Sequence, residues 1–185
     1  RGVQVAAGDF RVGVMGLGEL GGAIAAFLPS LGYDVHGWSR SPREIAGITV
    51  HAGHAAFDGF LAHCDVLICL LPLTDATRGI LNARTFAALP EGAAVVNCGR
   101  GEHLVPADLI AALQSGHLRG AVLDVFAHEP LPPDDALWRT PGVVVTPHMA
   151  TMPTAATVAE QVVANIHRLR HGATLANTVD TSRGY

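Results

Sequence analysis

Apolar positions along this chain fall into two alternating rhythms. Short apolar runs, the mark of strands buried on both faces, sit at residues 10–15, 33–38, 65–71, 93–97, 121–125 and 143–146, with a weaker one at 49–52. Between them lie stretches of helical type at 18–31, 56–63, 85–89, 106–115 and 154–171. Gly32, Gly116 and Gly172 follow three of these stretches, where a left-handed cap closes a helix. Pro106 opens another at a position that tolerates a missing N–H. Residues 39–47 read as a polar loop, and 129–141, rich in Pro and Asp, as an irregular arm. Strands alternating with helices predict an α/β fold: a Rossmann-type doubly wound parallel sheet, one domain with a C-terminal helix and a polar tail.

The first strand and helix are joined by Gly16-Leu17-Gly18-Glu19-Leu20-Gly21. A GxGxxG between strand and helix is a dinucleotide fingerprint, whereas the same glycines elsewhere make a plain turn. Gly16 would allow the tight turn, Gly18 the approach of a pyrophosphate, and Gly21 close helix–strand packing. The helix start offers N–H groups and a positive dipole end to phosphate. The end of the second strand selects the cofactor. NAD enzymes carry an acid there, about 20 residues past the glycines, for the ribose 2'-hydroxyl. Here Trp38 is followed by Ser39, Arg40, Ser41, Pro42 and Arg43. A guanidinium and two hydroxyls suit a 2'-phosphate, so NADP(H) is expected over NAD(H), which remains possible. The plainer alternative is a solvated loop with two arginines.

Three later strand runs end before Arg100, Glu129 and His148. In an open parallel sheet the ligand lies outside the carboxyl ends of the strands. A cation, a carboxylate and an imidazole would therefore share one crevice. Flanking glycines at Gly99 and Gly101 let the chain turn and aim Arg100, which can hold a carboxylate bidentately. Taken alone, Arg100 reads better as half of a surface ion pair, and a lone His148 is more often structural. Their case rests on each other and on Glu129, which could orient His148 and raise its pKa so that it donates a proton near neutrality.

Composition removes several alternatives. The chain has 185 residues, 49% of them hydrophobic, enough for a core. Net charge is -4 with signs scattered, so neither nucleic acid nor an anionic membrane is an expected partner. All 12 basic residues are Arg, which excludes lysine chemistry. No apolar run nears the roughly 18 residues of a membrane span, and no signal peptide is legible. Cys64, Cys69 and Cys98 lack CxxC spacing and read as reduced, mostly buried thiols of a cytoplasmic protein. His51, His54, His63 and Cys64 match no metal-ligand spacing, so no metal is expected. Trp38 and Trp138 read as packing residues.

Residues 12–21 (VGVMGLGELG), 37–41 (GWSRS), 70–74 (LLPLT), 97–101 (NCGRG), 123–126 (LDVF) with 129–131 (EPL), and 146–148 (TPH) together resemble the D-isomer-specific 2-hydroxyacid dehydrogenase family, most closely its bacterial glyoxylate/hydroxypyruvate reductases of the A type. The ending 179–185 also resembles that subfamily's C-terminus. The resemblance implies Arg100 as substrate anchor, His148 as acid/base and Glu129 as its partner. It implies that Leu71, Pro72 and Thr77, with Cys98, Gly99 and Asp124, line the cofactor cleft. It also implies small 2-oxo acid substrates and a homodimer formed through the cofactor domain, with the arm 129–141 reaching a neighbour. On this reading residues 1–9 are the remnant of an interdomain linker, 10–172 the dinucleotide-binding domain and 173–185 the tail. The family's substrate domain, mostly N-terminal to the fingerprint, is missing. Gly99 departs from relatives that often carry Ala or Ser there.

Two other classes compete. A non-catalytic dinucleotide-binding or dimerisation module would need none of Arg100, Glu129 and His148. β-Hydroxyacid dehydrogenases share a similar glycine motif but resemble one another in a catalytic Lys, which this chain lacks.

Overall fold

The computed structural model describes residues 6–179. Its strands are β1 (Arg11–Met15), β2 (Asp34–Ser39), β3 (Thr49–Ala52), β4 (Val66–Cys69), β5 (Ala93–Asn97), β6 (Leu118–Leu123) and β7 (Val143–Val145). They form one seven-stranded sheet in the order β3-β2-β1-β4-β5-β6-β7, paired in parallel throughout. The helices are α1 (Glu19–Phe27), α2 (Phe57–Leu61), α3 (Ala83–Ala88), α4 (Pro106–Gln114) and α5 (Ala155–Arg170). This is the doubly wound α/β fold expected from the alternation. Among the described residues no helix is long and apolar enough to cross a membrane. Residues 1–5 of the segment 1–9, and the ending from residue 180, lie outside the described residues.

The chain divides into two compact units, Arg1–Pro147 and His148–Tyr185. In the first, neighbouring residues of a strand point to opposite faces. Val14 and Val35 join Leu17 and Ala25 of the α1 side in one core. Met15, Leu67, Val95 and Leu123 join Phe57 and Phe60 of α2, Phe86 of α3 and Leu109 of α4 in the larger core. At the amino edge, Arg11 grips Asp65 through Nε (3.0 Å) and Nη2 (2.7 Å), and its backbone N–H adds a third bond at 2.9 Å. That grip holds the Asp65 carboxyl below its usual range. Burial pushes the Cys64 thiol up, and the Cys69 thiol up to about 12.

In the second unit, Thr154 caps α5 by accepting the Thr157 N–H at 3.2 Å. His167, Arg168 and Arg170 occupy the last turn, where cations complement the helix dipole. Asn165 and the Ala176 backbone exchange two bonds, folding the following segment back on the helix.

Several boundaries differ from the sequence reading. The helix expected over 18–31 ends at Phe27 and continues as a 3-10 turn, Leu28–Leu31. Pro29 has no N–H for the next helical bond, and Gly32 closes the turn at φ 88°. The strand expected at 121–125 begins at Leu118 and ends at Leu123. Its pairing with β5 slips between Ala93 and Ala94, which absorbs Arg119 as an extra residue. The stretch 56–63 becomes a 3-10 turn, His54–Ala56, and then α2.

The histidines near β3 form a stack. His36 and His51 rings are 5.3 Å apart, and His36 and His63 rings 5.0 Å apart. His36 Nδ1 lies 3.0 Å from His51 Nε2, a bond that needs one of the two rings to be neutral at that nitrogen. Among the described residues no group of three or more His, Cys, Asp or Glu could hold a metal ion. Burial lowers the His51 pKa, and the charges of His36 and His63 lower it further. The unfolded chain therefore binds the His51 proton more readily than the folded one. The contribution of this site to stability falls as pH drops through about 6.5, the ordinary imidazole value. The melting temperature should decline between about pH 7 and about pH 5, and His51→Gln should flatten that decline. An unchanged slope in the variant would count against the stack as its source.

Candidate functional site

Register places Trp38, Met15, Cys69, Asn97, Leu123 and Val145 side by side across the sheet. The ladder runs one residue further. Gly16 N–H reaches Trp38 O (3.0 Å), Leu70 N–H reaches Met15 O (2.8 Å) and Cys98 N–H reaches Cys69 O (3.1 Å). Asp124 N–H reaches Asn97 O and Thr146 N–H reaches Leu123 O, both at 3.0 Å. From β1 the chain winds outward through β2 and β3, then returns to place β4 on β1's other side. That reversal opens a crevice at the carboxyl ends, where α/β sheets bind ligands.

The three fingerprint glycines differ in what surrounds them. Gly16 has φ 93°, and a Cβ there would lie 2.7 Å from the Leu70 carbonyl oxygen. A Cβ on Gly21 would lie 1.8 Å from the Gly16 carbonyl oxygen, so α1 sits directly on the turn. Gly18 differs: a Cβ there would meet nothing within 4 Å. Gly18 is also the α1 N-cap and makes no side-chain capping bond. A helix start carries N–H groups without intrahelical partners and a positive dipole end. Glu19 lies in the first turn and Leu20 is exposed. Leu17 is buried in the smaller core, so its side chain serves packing. Its carbonyl accepts a hydrogen bond from the Arg43 guanidinium.

At the end of β2, Ser39 Oγ donates to Ser41 O at 2.7 Å and shapes the turn that exposes Arg40. No Asp or Glu stands between Val35 and Arg43. Asp34 is the first residue of β2, at the strand's far end.

Beyond β4, Thr77 Oγ1 donates to Pro72 O (2.7 Å) and accepts from Thr74 N–H (2.8 Å), closing the loop that carries Leu71 and Pro72. Beyond β5, fully buried Asn97 holds the next turn from both sides. Its Nδ2 donates to Arg100 O at 3.0 Å, and its Oδ1 accepts Gly99 N–H at 3.2 Å. Arg100 Nη1 donates to Gly99 O at 2.6 Å, and the residue is exposed. The Arg100 backbone N–H donates to His103 Nδ1 at 3.0 Å. A Cβ on Gly101 would lie 1.9 Å from the Phe126 carbonyl carbon. The Arg100 turn therefore rests on the chain that leads to Glu129, whose Oε1 accepts Phe126 N–H at 2.9 Å. Asp124 is buried and accepts the Thr146 hydroxyl at 2.5 Å. Cys98 is half-buried; burial and then the Asp124 charge raise its thiol pKa.

The structure thus brings together the glycine loop, the Leu71–Pro72 loop, the Arg100 turn and the Glu129 turn along one sheet edge. His148 opens the second unit, with left-handed backbone at φ 53°. Sequence reasoning missed Asn97, Thr146, Arg43 and His103 as supports. Asn97 was legible: a polar residue ending a fully apolar strand just before a glycine needs buried partners. The others depend on contacts between segments distant in the chain.

A glycine-rich strand–turn–helix at the switch point of a parallel sheet defines a dinucleotide-binding domain. A family model described as D-isomer specific 2-hydroxyacid dehydrogenase, NAD binding domain, matches residues 4–150, and the chain belongs to that family. It is similar to a solved D-isomer specific 2-hydroxyacid dehydrogenase family protein from Klebsiella pneumoniae 342, with 57% identity and a TM-score of 0.90, over 97% of this chain and 58% of that one. A D-isomer specific 2-hydroxyacid dehydrogenase from Xanthobacter autotrophicus Py2, solved with NADPH and MES, shares 46% identity with a TM-score of 0.94, over 100% of this chain and 76% of that one. An NADPH-dependent glyoxylate/hydroxypyruvate reductase from Sinorhizobium meliloti, solved with NADP and sulfate, shares 42% identity with a TM-score of 0.94, over 100% of this chain and 60% of that one.

The glycines separate packing from binding. Gly21→Ala should lower the melting temperature by at least roughly 4 °C, from the ~1–3 kcal/mol of an overpacked contact. Gly18→Ala should melt within about 2 °C of the parent yet bind NADPH about tenfold more weakly, because a methyl enters the space a pyrophosphate needs. Thermal melts and a fluorescence titration read both. Unaltered NADPH affinity in Gly18→Ala would remove that loop from the binding site.

Proposed function

We propose that this chain is the cofactor-binding part of an NADPH-dependent reductase of small 2-oxo acids such as glyoxylate and hydroxypyruvate. The observation that carries the reading is the Arg100 turn, seated on the run-in to Glu129 at the same sheet edge as the glycine loop. The bound cofactor supplies a hydride to the keto carbon. Arg100 offers the remaining donors of its guanidinium fork to the substrate carboxylate and fixes which face of the keto group is presented. His148 gives its proton to the keto oxygen. The Glu129 carboxylate favours the charged imidazole that proton donation requires. NADPH is preferred over NADH because Ser39, Arg40 and Ser41 suit a 2'-phosphate and no acid is present to accept from a 2'-hydroxyl. The relatives solved with NADPH and NADP support that preference.

Titration with both cofactors tests the first part. NADPH should bind at least tenfold more tightly than NADH, and Arg40→Asp should remove the difference by setting like charges together. Equal affinities in the unsubstituted chain would overturn the preference.

Turnover is best read with this chain joined to the remainder of the Klebsiella relative, since it spans 58% of that protein's length. In that enzyme His148→Ala should lower kcat for glyoxylate by about 10²–10⁴-fold, and Arg100→Ala should raise KM as well. Glu129→Gln should lower kcat for glyoxylate by removing the charge that favours the protonated imidazole. Near-normal turnover in His148→Ala would refute the assigned proton donor.

A further inference from the structure

His103 is fully buried, yet it touches two separate parts of the crevice. Its Nδ1 accepts the Arg100 backbone N–H at 3.0 Å. Its Nε2 lies 3.3 Å from the Pro72 carbonyl oxygen. A ring nitrogen that accepts an N–H cannot carry a proton itself, so the proton sits on Nε2 and is donated to Pro72. The Cys69 Sγ lies 3.8 Å from Nδ1, and burial keeps that thiol protonated, a second donor toward the same nitrogen. The charged groups that act on the ring are Arg100, which disfavours its protonation, and Glu102, which favours it. Burial outweighs Glu102 and lowers the His103 pKa.

Gly99 is shaped to this ring. A Cβ there would lie 2.8 Å from His103 Nδ1, 2.9 Å from Cε1 and 3.1 Å from the Leu71 carbonyl oxygen. The glycine is the room the imidazole occupies, so Gly99 and His103 form a matched pair. The backbone around the ring is bonded as well, Leu81 N–H to His103 O and Gly79 N–H to Glu102 O, both at 2.8 Å.

We propose that His103 is a positioning residue, a neutral imidazole strut that sets the spacing between the Arg100 turn and the Leu71–Pro72 loop and so places the Arg100 guanidinium for the substrate carboxylate. The proposal rests on Arg100 being the carboxylate anchor. The strut itself is a statement about this chain alone and is tested separately.

In the chain, long-range ¹H–¹⁵N spectra should show His103 as the Nε2–H tautomer, taking up its second proton only below the ordinary imidazole range. An Nδ1–H tautomer, or ordinary titration, would overturn the strut whatever the enzyme does. A double-mutant cycle on chain stability should show coupling: Gly99→Ala should cost more with His103 present than in the His103→Ala background. Additive effects would overturn the matched pair.

In the joined enzyme, His103→Leu should raise KM for glyoxylate about tenfold, the size expected for one lost buried hydrogen bond, while NADPH affinity changes less than about threefold. His103→Asn keeps an acceptor where Nδ1 stands and should recover most of that loss; it also serves if the Leu variant does not fold. Unchanged KM in a folded His103→Leu, or no advantage for Asn over Leu, would overturn the positioning role. If the unsubstituted joined enzyme reduces neither acid, the proposed function fails, and the tautomer and the coupling still decide the strut.

Discussion

Backbone can approach backbone closely only where no side chain intervenes, and the crevice of this domain is built from such approaches. Gly21 lays α1 on the carbonyl of Gly16. Gly16 lays the first turn on Leu70, at the end of the strand across the switch point. Gly101 lays the Arg100 turn on the Phe126–Ala127 backbone. Each contact would be closed by a single methyl group. Together they bring four chain segments to one edge. The apolar cores on the two faces keep the strands in register, but the glycines decide how near their ends can come. Gly18 is the exception that gives the others meaning. A Cβ there would meet nothing within 4 Å, so packing inside the domain does not require the glycine.

Charge completes what the backbone starts. The α1 N-terminus presents uncapped N–H groups, and Arg43 reaches the Leu17 carbonyl from the loop after β2. Arg40 lies in the same loop and is exposed. At the other end of the crevice Asp124 is buried, and its Oδ1 is met by the Thr146 hydroxyl. Burying a carboxylate without such a partner would cost several kcal/mol. Exposed guanidinium groups thus stand after β2 and at the Arg100 turn.

Much of the fold was legible because its elements are locally determined. The run Ala93–Asn97 is apolar up to its closing Asn97, is bounded by Gly92 and Cys98, and pairs on both sides; its limits were read correctly. Pro106 and Gly116 bracket α4 as a capped helix should be bracketed. The errors came where tertiary contact overrode the local pattern. β6 starts early because the bulge against Ala93–Ala94 lets Arg119 and Gly120 join a strand that their polarity and flexibility argue against. The candidate site shows the same division. GxGxxG carries its own geometry and could be read from spacing. His103 could not, since its meaning depends on an Arg100 amide, a Pro72 carbonyl and the absence of a side chain at Gly99. The departure at Gly99, which looked incidental in the sequence, is the space that admits the ring.

His148 poses a different problem of support. Thr146 makes the last ladder bond of β7, to Leu123. Pro147 has no N–H to continue the ladder. The next residue takes φ 53°, a region in which a residue other than glycine is uncommon and costs of order 1 kcal/mol or more. Such a conformation persists when surroundings over-determine it, and it concentrates at functional positions. The strain is therefore an argument for the proposed proton donor that does not depend on the motif around it. It runs from an observed outlier to a role, whereas the sequence argument ran from strand ends to a shared crevice. The two begin from independent facts and arrive at the same side chain.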